Sequence, residues 1–157
     1  MIQRENAYFE GLSQIAESYE NAKRAHEEKK QKIIETCGWD SDEMKAWYEV
    51  KGKMSYPIPQ GTCKAFRAFK ETVRKGADEI IMDDFLWDKE VADFTCALRK
   101  AGFESFIYTN QSTAVMQNLH DLEAEGCKMQ GLCKITQTER RFGKDQQIEI
   151  PGIRFSL

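Results

Sequence analysis

The chain has 157 residues, of which 41% are hydrophobic and 31% are charged, and its formal net charge is −3. This composition is typical of one globular domain with room for a helical appendage, and it excludes a disordered chain. No apolar run approaches the roughly 18 residues that span a bilayer, and the N-terminus has no apolar signal region. We therefore expect a cytoplasmic protein without membrane contact. Because 26 acidic residues outnumber 23 basic ones, overall charge does not select nucleic acid as the partner.

The N-terminal part predicts a helical hairpin over residues 1–56. Apolar residues at alternating spacings of four and three indicate a long helix over residues 4–36. A second helix is expected to begin at Asp40 or Ser41, and the short connection between the two helices makes them antiparallel. The segment 56–61 then carries two prolines and a glycine, which no helix tolerates in its interior. We place the domain boundary in this segment.

Residues 62–157 predict a small α/β domain. The hydrophobic patterns change between helical and strand periods, and they indicate a helix at 62–75, a strand at 79–82, a helix at 88–101, a strand at 103–109, a helix beginning at Ser112 or Thr113, and strands at 128–139 and 147–157.

Two strand–helix–strand units in succession require right-handed crossovers between parallel strands. We therefore expect an α/β fold in which the helical hairpin packs on a small three-layer domain. Its four-stranded mixed sheet is expected to be mostly parallel, with the order 2-1-3-4. The last strand follows a short turn, so it is expected to be antiparallel. Because proline cannot donate a ladder hydrogen bond, Pro151 places this strand at an edge or requires a bulge there.

Polar side chains follow two of the predicted strands. Asp83 and Asp84 come after the first strand, and Asn110 and Ser112 come after the second. Ligands collect beyond the carboxyl ends of parallel strands, and carboxylate and amide oxygens are ligands that Mg²⁺ accepts. This end of the sheet is therefore a candidate magnesium and phosphate site.

The stretches IIMDD and LRKAG-FESFIYTNQS resemble motifs of the haloacid-dehalogenase-like phosphatases. The resemblance implies a magnesium-dependent phosphoryl-transfer enzyme that uses Asp83 and Asp84. The sequence departs from the family's pattern because its two aspartates are adjacent instead of separated by one residue. It also has no later helical lysine and no later acidic pair.

Two basic segments are candidates for contact with nucleic acid or with an acidic partner. One is a face of the third predicted helix, over residues 64–75, and the other is the turn around Phe142. Basic residues near an exposed aromatic ring are typical of such contacts, although a solvated helix face explains the first segment as well. The candidate residues are Lys64, Arg67, Lys70, Arg74, Arg140 and Arg141.

The remaining site signatures favour no enzyme class and no cofactor. The five cysteines are odd in number and form no C-x-x-C pair, so reduced thiols are expected instead of disulfides or a zinc site. The sequence contains no P-loop, no G-x-S-x-G and no G-x-G-x-x-G.

The segment from ESFIYTNQSTAVMQNLHDLEAEGCKMQGLCKITQTERRFG to the final GIRFSL resembles a family of small proteins carried on conjugative and phage-like elements of gut Firmicutes. The resemblance brings no activity and no residue role. It implies accessory cargo, among which inhibitors of host defence are common.

The first functional hypothesis is therefore a non-catalytic binding or regulatory protein that acts by protein–protein contact, such as an inhibitor of a host defence system. The alternatives are a nucleic-acid-binding accessory protein that uses helix 64–75, and the phosphoryl-transfer enzyme at Asp83 and Asp84. The sequence makes no prediction about the oligomeric state.

Overall fold

The computed structural model describes residues 2–157, apart from the side chain of Arg141. Within this part of the chain it has five helices and four strands. In chain order they are α1 (Ala7–Cys37), α2 (Asp42–Lys53), α3 (Gln60–Lys75), β1 (Ile80–Met82), α4 (Asp88–Lys100), β2 (Ser105–Tyr108), α5 (Val115–Ala124), β3 (Lys128–Arg141) and β4 (Lys144–Ser156). None of the helices described here has the length and hydropathy to cross a membrane.

The chain forms two compact units. One unit comprises Glu10–Ile58, and the other comprises Pro59–Leu157 together with the N-terminal residues through Phe9.

Trp47 holds the helices of the first unit together. Its side chain is only 3% exposed, and its ring stacks on that of His26 with 4.6 Å between the ring centroids. The indole Nε1 donates a hydrogen bond to the carbonyl oxygen of His26 at 2.8 Å. The ammonium groups of Lys30 and Lys51 lie 5.0 and 4.8 Å from the Trp47 ring centroid, so both add cation–π attraction. Ser41 caps α2, because its hydroxyl accepts from the Met44 N–H.

The sheet of the second unit has the strand order β1-β2-β4-β3. Only β1 and β2 are parallel, while β4 pairs antiparallel with both β2 and β3. The mixed α/β class is confirmed, but the expectation of a mostly parallel sheet with the order 2-1-3-4 is wrong. β3 does run in the same direction as β1 and β2, as crossover connections require. However, β3 was expected to pair with β1, whereas it pairs with β4, and β4 lies between it and β2.

The expected edge position of the last strand is also wrong for part of its length. Residues 153–156 of β4 pair on both sides, with β2 and with β3. Residues 144–152 pair with β3 alone and form a two-stranded ribbon with it. Pro151 lies in this ribbon, so its missing N–H falls where the strand has a single neighbour.

Helices α3, α4 and α5 pack against this sheet. Phe94 of α4 packs on Phe106 of β2, with 5.4 Å between the ring centroids. The hydroxyl of Tyr108, which is on the same face as Phe106, donates to a side chain of α5. α3 packs against α4 and β1, and its Thr72 hydroxyl accepts from the Ile81 N–H.

Helices α3 and α4 approach each other closely at Gly61. A Cβ atom built on Gly61 would lie 2.1 Å from the carbonyl oxygen of Glu90 and 2.9 Å from the Cβ of Asp93. Any side chain at this position would therefore push α3 away from the start of α4.

We expect Gly61→Ala to lower the free energy of unfolding by about 1–3 kcal/mol, because the added methyl group overpacks backbone that cannot yield cheaply. Urea unfolding followed by circular dichroism measures the change. Gly52→Ala is the matched control, since Gly52 is also helical and its Cβ would meet nothing within 4 Å. The control should gain about 0.5–1 kcal/mol, and an equal gain in both variants would refute the close approach.

Candidate binding site at the carboxyl ends of the parallel strands

Two aromatic side chains stand at the carboxyl end of β1, in the segment that connects it to α4. We call Phe85–Trp87 the aromatic loop. Trp87 is 62% exposed, whereas Leu86 between the two aromatic residues is buried. The rings of Phe85 and Trp87 are nearly perpendicular, with 5.0 Å between their centroids. An exposed tryptophan in this place is unusual, because burying its large apolar surface is favourable.

Asn118 of α5 holds the centre of the aromatic loop. Its side chain is 1% exposed, and its Oδ1 accepts from the Leu86 N–H at 2.9 Å. Its Nδ2 donates to the Leu86 carbonyl oxygen. The same Oδ1 accepts from the Tyr108 hydroxyl at 2.6 Å. One buried amide thus satisfies both peptide groups of Leu86 and ties α5 to the ends of β1 and β2.

Lys64 of α3 and Glu90 of α4 hold the two ends of the aromatic loop. The Lys64 ammonium donates to the Phe85 carbonyl oxygen at 2.7 Å and forms an ion pair with Glu90 at 2.6 Å. It also lies 4.5 Å from the Phe85 ring centroid. The Glu90 carboxylate accepts from the Trp87 N–H at 3.0 Å. The Glu90 N–H donates to the Trp87 carbonyl oxygen.

The backbone of the aromatic loop is therefore fully hydrogen-bonded. The one group not yet accounted for, the Phe85 N–H, donates to the carboxylate of Asp84 at 2.9 Å. Because each N–H and C=O of the three residues has a partner, the backbone that carries Phe85 and Trp87 is held in one conformation. Such a surface loses little conformational entropy when a partner binds.

The charges beneath the loop are paired with one another. The side chains of Lys64 and Glu90 are only 10% and 12% exposed. Asp84 Oδ2 lies 3.9 Å from the Lys64 ammonium and 3.7 Å from the Arg67 guanidinium. Burial, together with the negative charge of Asp84, raises the pKa of Tyr108 to about 12. The Tyr108 hydroxyl therefore keeps its proton and remains a donor to Asn118 at neutral pH.

Two clefts flank Trp87. The first has a volume of about 450 Å³ and is lined by the aromatic loop, Asp88, the start of α5 and the segment before it, with Ser112, Thr113, Ala114, Gln117 and Asn118. The second has a volume of about 490 Å³ and lies between the starts of α3 and α4, lined by Gln60, Gly61, Trp87, Asp88, Lys89, Glu90 and Asp93.

The carboxylates proposed for magnesium lie near this site, and each has a cationic neighbour. Asp83 pairs with Lys75 at 3.3 Å, and Asp84 lies between Lys64 and Arg67. Asn110 is brought to the same strand end, but its Nδ2 donates to the Asp83 carbonyl oxygen. Among the described residues, no three His, Cys, Asp or Glu side chains are grouped so that they could hold a metal ion.

The predicted basic residues of α3 differ in exposure, because Lys64 is largely buried while Arg67, Lys70 and Arg74 are exposed. Lys64 points inward to Glu90, and Arg74 forms a 2.6 Å ion pair with Glu71. Lys70 lies over the Phe66 ring, with 4.6 Å from its ammonium to the centroid, and Arg67 remains largely exposed.

Arg140 is exposed near the tip of the ribbon, next to the fully exposed Phe142. The side chain of Arg141 lies outside the part of the chain that the structure describes.

Sequence reasoning did not identify Trp87 or Asn118 as site residues. A signal for Asn118 was present, because it precedes the core residue Leu122 by one helical turn and so puts an amide on the buried face of α5. Trp87 follows the strand-end aspartates and the apolar pair Phe85 and Leu86, so no local pattern marks it as exposed.

The family model described as Domain of unknown function (DUF7698) matches residues 64–157. No curated protein and no solved structure gives a significant match to the chain. The matched segment begins at Lys64 and includes the aromatic loop, Glu90 and Asn118.

We expect Asn118→Ala to lower the free energy of unfolding by at least about 2 kcal/mol. The substitution leaves the Leu86 peptide groups and the Tyr108 hydroxyl buried without a partner, at about 1–3 kcal/mol for each unsatisfied group. Urea unfolding measures the loss. Gln117→Ala removes an exposed amide one residue away that bonds Asp121, and it should change stability by no more than about 0.5 kcal/mol. Similar losses in the two variants would contradict the role of Asn118.

The raised pKa of Tyr108 predicts a loss of stability in alkali. The folded state favours the neutral phenol, so this contribution is fully present below the ordinary value of 10.0 and is lost as the pH rises toward about 12. We expect the free energy of unfolding to fall more steeply between these two pH values in the native chain than in Tyr108→Phe. Urea unfolding at a series of pH values measures both slopes, and equal slopes would contradict the assignment.

Proposed function

We propose that this chain, which belongs to the family described as Domain of unknown function (DUF7698), is a non-catalytic binding protein. It captures a partner protein on the aromatic loop. The observation that carries the proposal is an exposed Trp87 on a backbone whose hydrogen bonds are all made. Tryptophan is enriched among the few residues that supply most of the energy of protein–protein interfaces.

The energetics of the aromatic loop support a binding role. An exposed indole gains little from the fold itself, so its burial by a partner is available as binding energy. Asn118, Lys64 and Glu90 keep the loop in place before a partner arrives. The entropy of ordering the loop is therefore lost during folding and not during binding.

The charge pairing of the nearby carboxylates supports a non-catalytic role. Asp83 lies 3.3 Å from the Lys75 ammonium, and Asp84 lies between two cations. These contacts leave the carboxylates engaged in holding α3 to the end of β1. A phosphoryl-transfer role at Asp83 and Asp84 would require them to exchange these cations for a metal and a substrate.

The class of partner follows from the resemblance to proteins of mobile elements. Such elements act inside a host cell, so we propose that the partner is a host protein and that binding regulates it. Inhibition of a host defence system by protein–protein contact is the form of regulation that we favour.

Contact with nucleic acid is the second candidate function, and the tip of the ribbon favours it. Phe142 is fully exposed and has a φ angle of 49°. A bulky residue in this region is strained by about 1–2 kcal/mol. Arg140 and Lys144 lie on either side of Phe142. An aromatic ring between basic side chains can stack on an unpaired base while the cations contact phosphates.

We expect the immobilised native chain to retain a nuclease-resistant protein from host lysate that Trp87→Ala fails to retain. The indole is the proposed energetic centre, so its removal should reduce capture at least about tenfold, which corresponds to about 1.4 kcal/mol. Trp39→Ala is the matched control, because Trp39 is a second exposed tryptophan, at 60%, and lies in the other unit. Quantitative mass spectrometry of the retained proteins gives the ratio.

Equal capture by Trp87→Ala and by the native chain would refute the aromatic loop as the binding surface. The captured material could instead be removed by nuclease, absent with Phe142→Ala and still present with Trp87→Ala. That result would make nucleic-acid binding the favoured function.

A further inference from the structure

The two clefts beside Trp87 differ in their chemistry. They share only Trp87 and Asp88 among their lining residues, so the indole stands between them. The first cleft is walled by Phe85, Leu86 and Ala114, and Asp88 is its one charged residue. Its remaining polar groups are the neutral hydroxyls and amides of the segment that begins α5. An apolar side chain of a partner fits this cleft best.

The second cleft carries several charged groups. Its lining includes Asp88, Lys89, Glu90 and Asp93. Glu90 is neutralised by the buried Lys64 ammonium at 2.6 Å. In the part of the chain that the structure describes, Asp88 and Asp93 form no ion pair. The lining therefore contains two carboxylates without an ion pair and one lysine, so the net charge of the second cleft is negative.

Asp93 is the carboxylate that a bound cation would meet. Asp88 is the first residue of α4, so its charge also offsets the positive end of the helix dipole, and its Oδ1 accepts from the Lys89 N–H. Asp93 lies more than one turn further along α4, beside Gly61. The exposed indole adds cation–π attraction for the same guest.

Resting on the function proposed above, we infer that the partner docks through an extended segment that places an arginine or lysine side chain in the second cleft. The same segment places an apolar side chain in the first cleft. Side chains two residues apart in an extended chain are about 6.8 Å apart on one face. At that spacing the two side chains can lie on opposite sides of an aromatic ring, each about 3.5 Å from the ring plane. The partner segment that fits therefore has an apolar residue, then any residue, then a basic residue.

The test uses two short peptides as probes, acetyl-Leu-Ser-Arg-amide and the same peptide with citrulline in place of arginine. Citrulline keeps the shape of arginine and removes its charge. Each peptide is titrated into the full-length ¹⁵N-labelled protein, and the indole N–H signal of Trp87, assigned with Trp87→Phe, reports binding. We expect the arginine peptide to bind about fivefold more tightly than the citrulline peptide, which corresponds to about 1 kcal/mol.

Two variants test whether the second cleft causes the preference for arginine over citrulline. Asp93→Asn should reduce the preference for the arginine peptide well below fivefold, leaving only the cation–π attraction of Trp87, while the affinity for the citrulline peptide changes little. Asp145→Asn, which removes an exposed carboxylate from the ribbon, should keep the fivefold preference.

Equal binding of the two peptides to the native protein would overturn the cation site. So would a fivefold preference that survives Asp93→Asn, or the lack of any Trp87 response to millimolar peptide. If Trp87-dependent capture of a host protein is observed at the same time, the cation site alone fails and the proposed function stands. If neither is observed, both fail.

Discussion

The second unit depends on the hydrogen bonds between the Asn118 amide and the peptide groups of Leu86. A peptide group that leaves a buried strand must find partners for its N–H and C=O where water cannot reach. At Leu86 there is no neighbouring strand to supply them, and the Asn118 side chain supplies both. The same oxygen accepts from Tyr108, so one residue of α5 joins the ends of β1 and β2. The position of the aromatic loop follows from this arrangement.

The ion pair of Lys64 and Glu90 completes the support from the other two helices. Both side chains are largely buried, and both also bond the backbone of the aromatic loop. A buried pair of this kind does not have to increase stability, because desolvation opposes the attraction between the charges. Its evident effect is geometric, since it places the loop relative to α3 and α4. Lys64, a candidate for nucleic-acid contact, and Asp84, a candidate for catalysis, both bond the backbone of the aromatic loop.

The helices and strands of the chain could be predicted from their hydrophobic periods, and the predicted segments agree with α1 to α5 and β1 to β4 to within a few residues. The convergence of Asp83, Asp84 and Asn110 at one sheet end was also predictable, since it needs only that β1 and β2 are parallel neighbours. The order of the strands was not. A crossover fixes the direction of β3, but no local pattern states whether β3 or β4 lies beside β2. Gly152 permits the close approach of β4, because a Cβ atom at this position would lie 2.5 Å from a side-chain atom of Ile107 and 3.1 Å from one of Thr109.

The sequence by itself determined the secondary structure, the mixed α/β class and the surplus of acidic over basic residues, since these depend on composition and on neighbours in the chain. Only the tertiary structure decided the strand order and the burial of Lys64. It also decided the pairing of Asp83 and Asp84 with cations, and the exposure of Trp87. Each of these depends on contacts between residues far apart in the chain, such as Leu86 with Asn118 or Lys64 with Glu90. The periodicity of a single segment carries no information about which distant side chain will reach it.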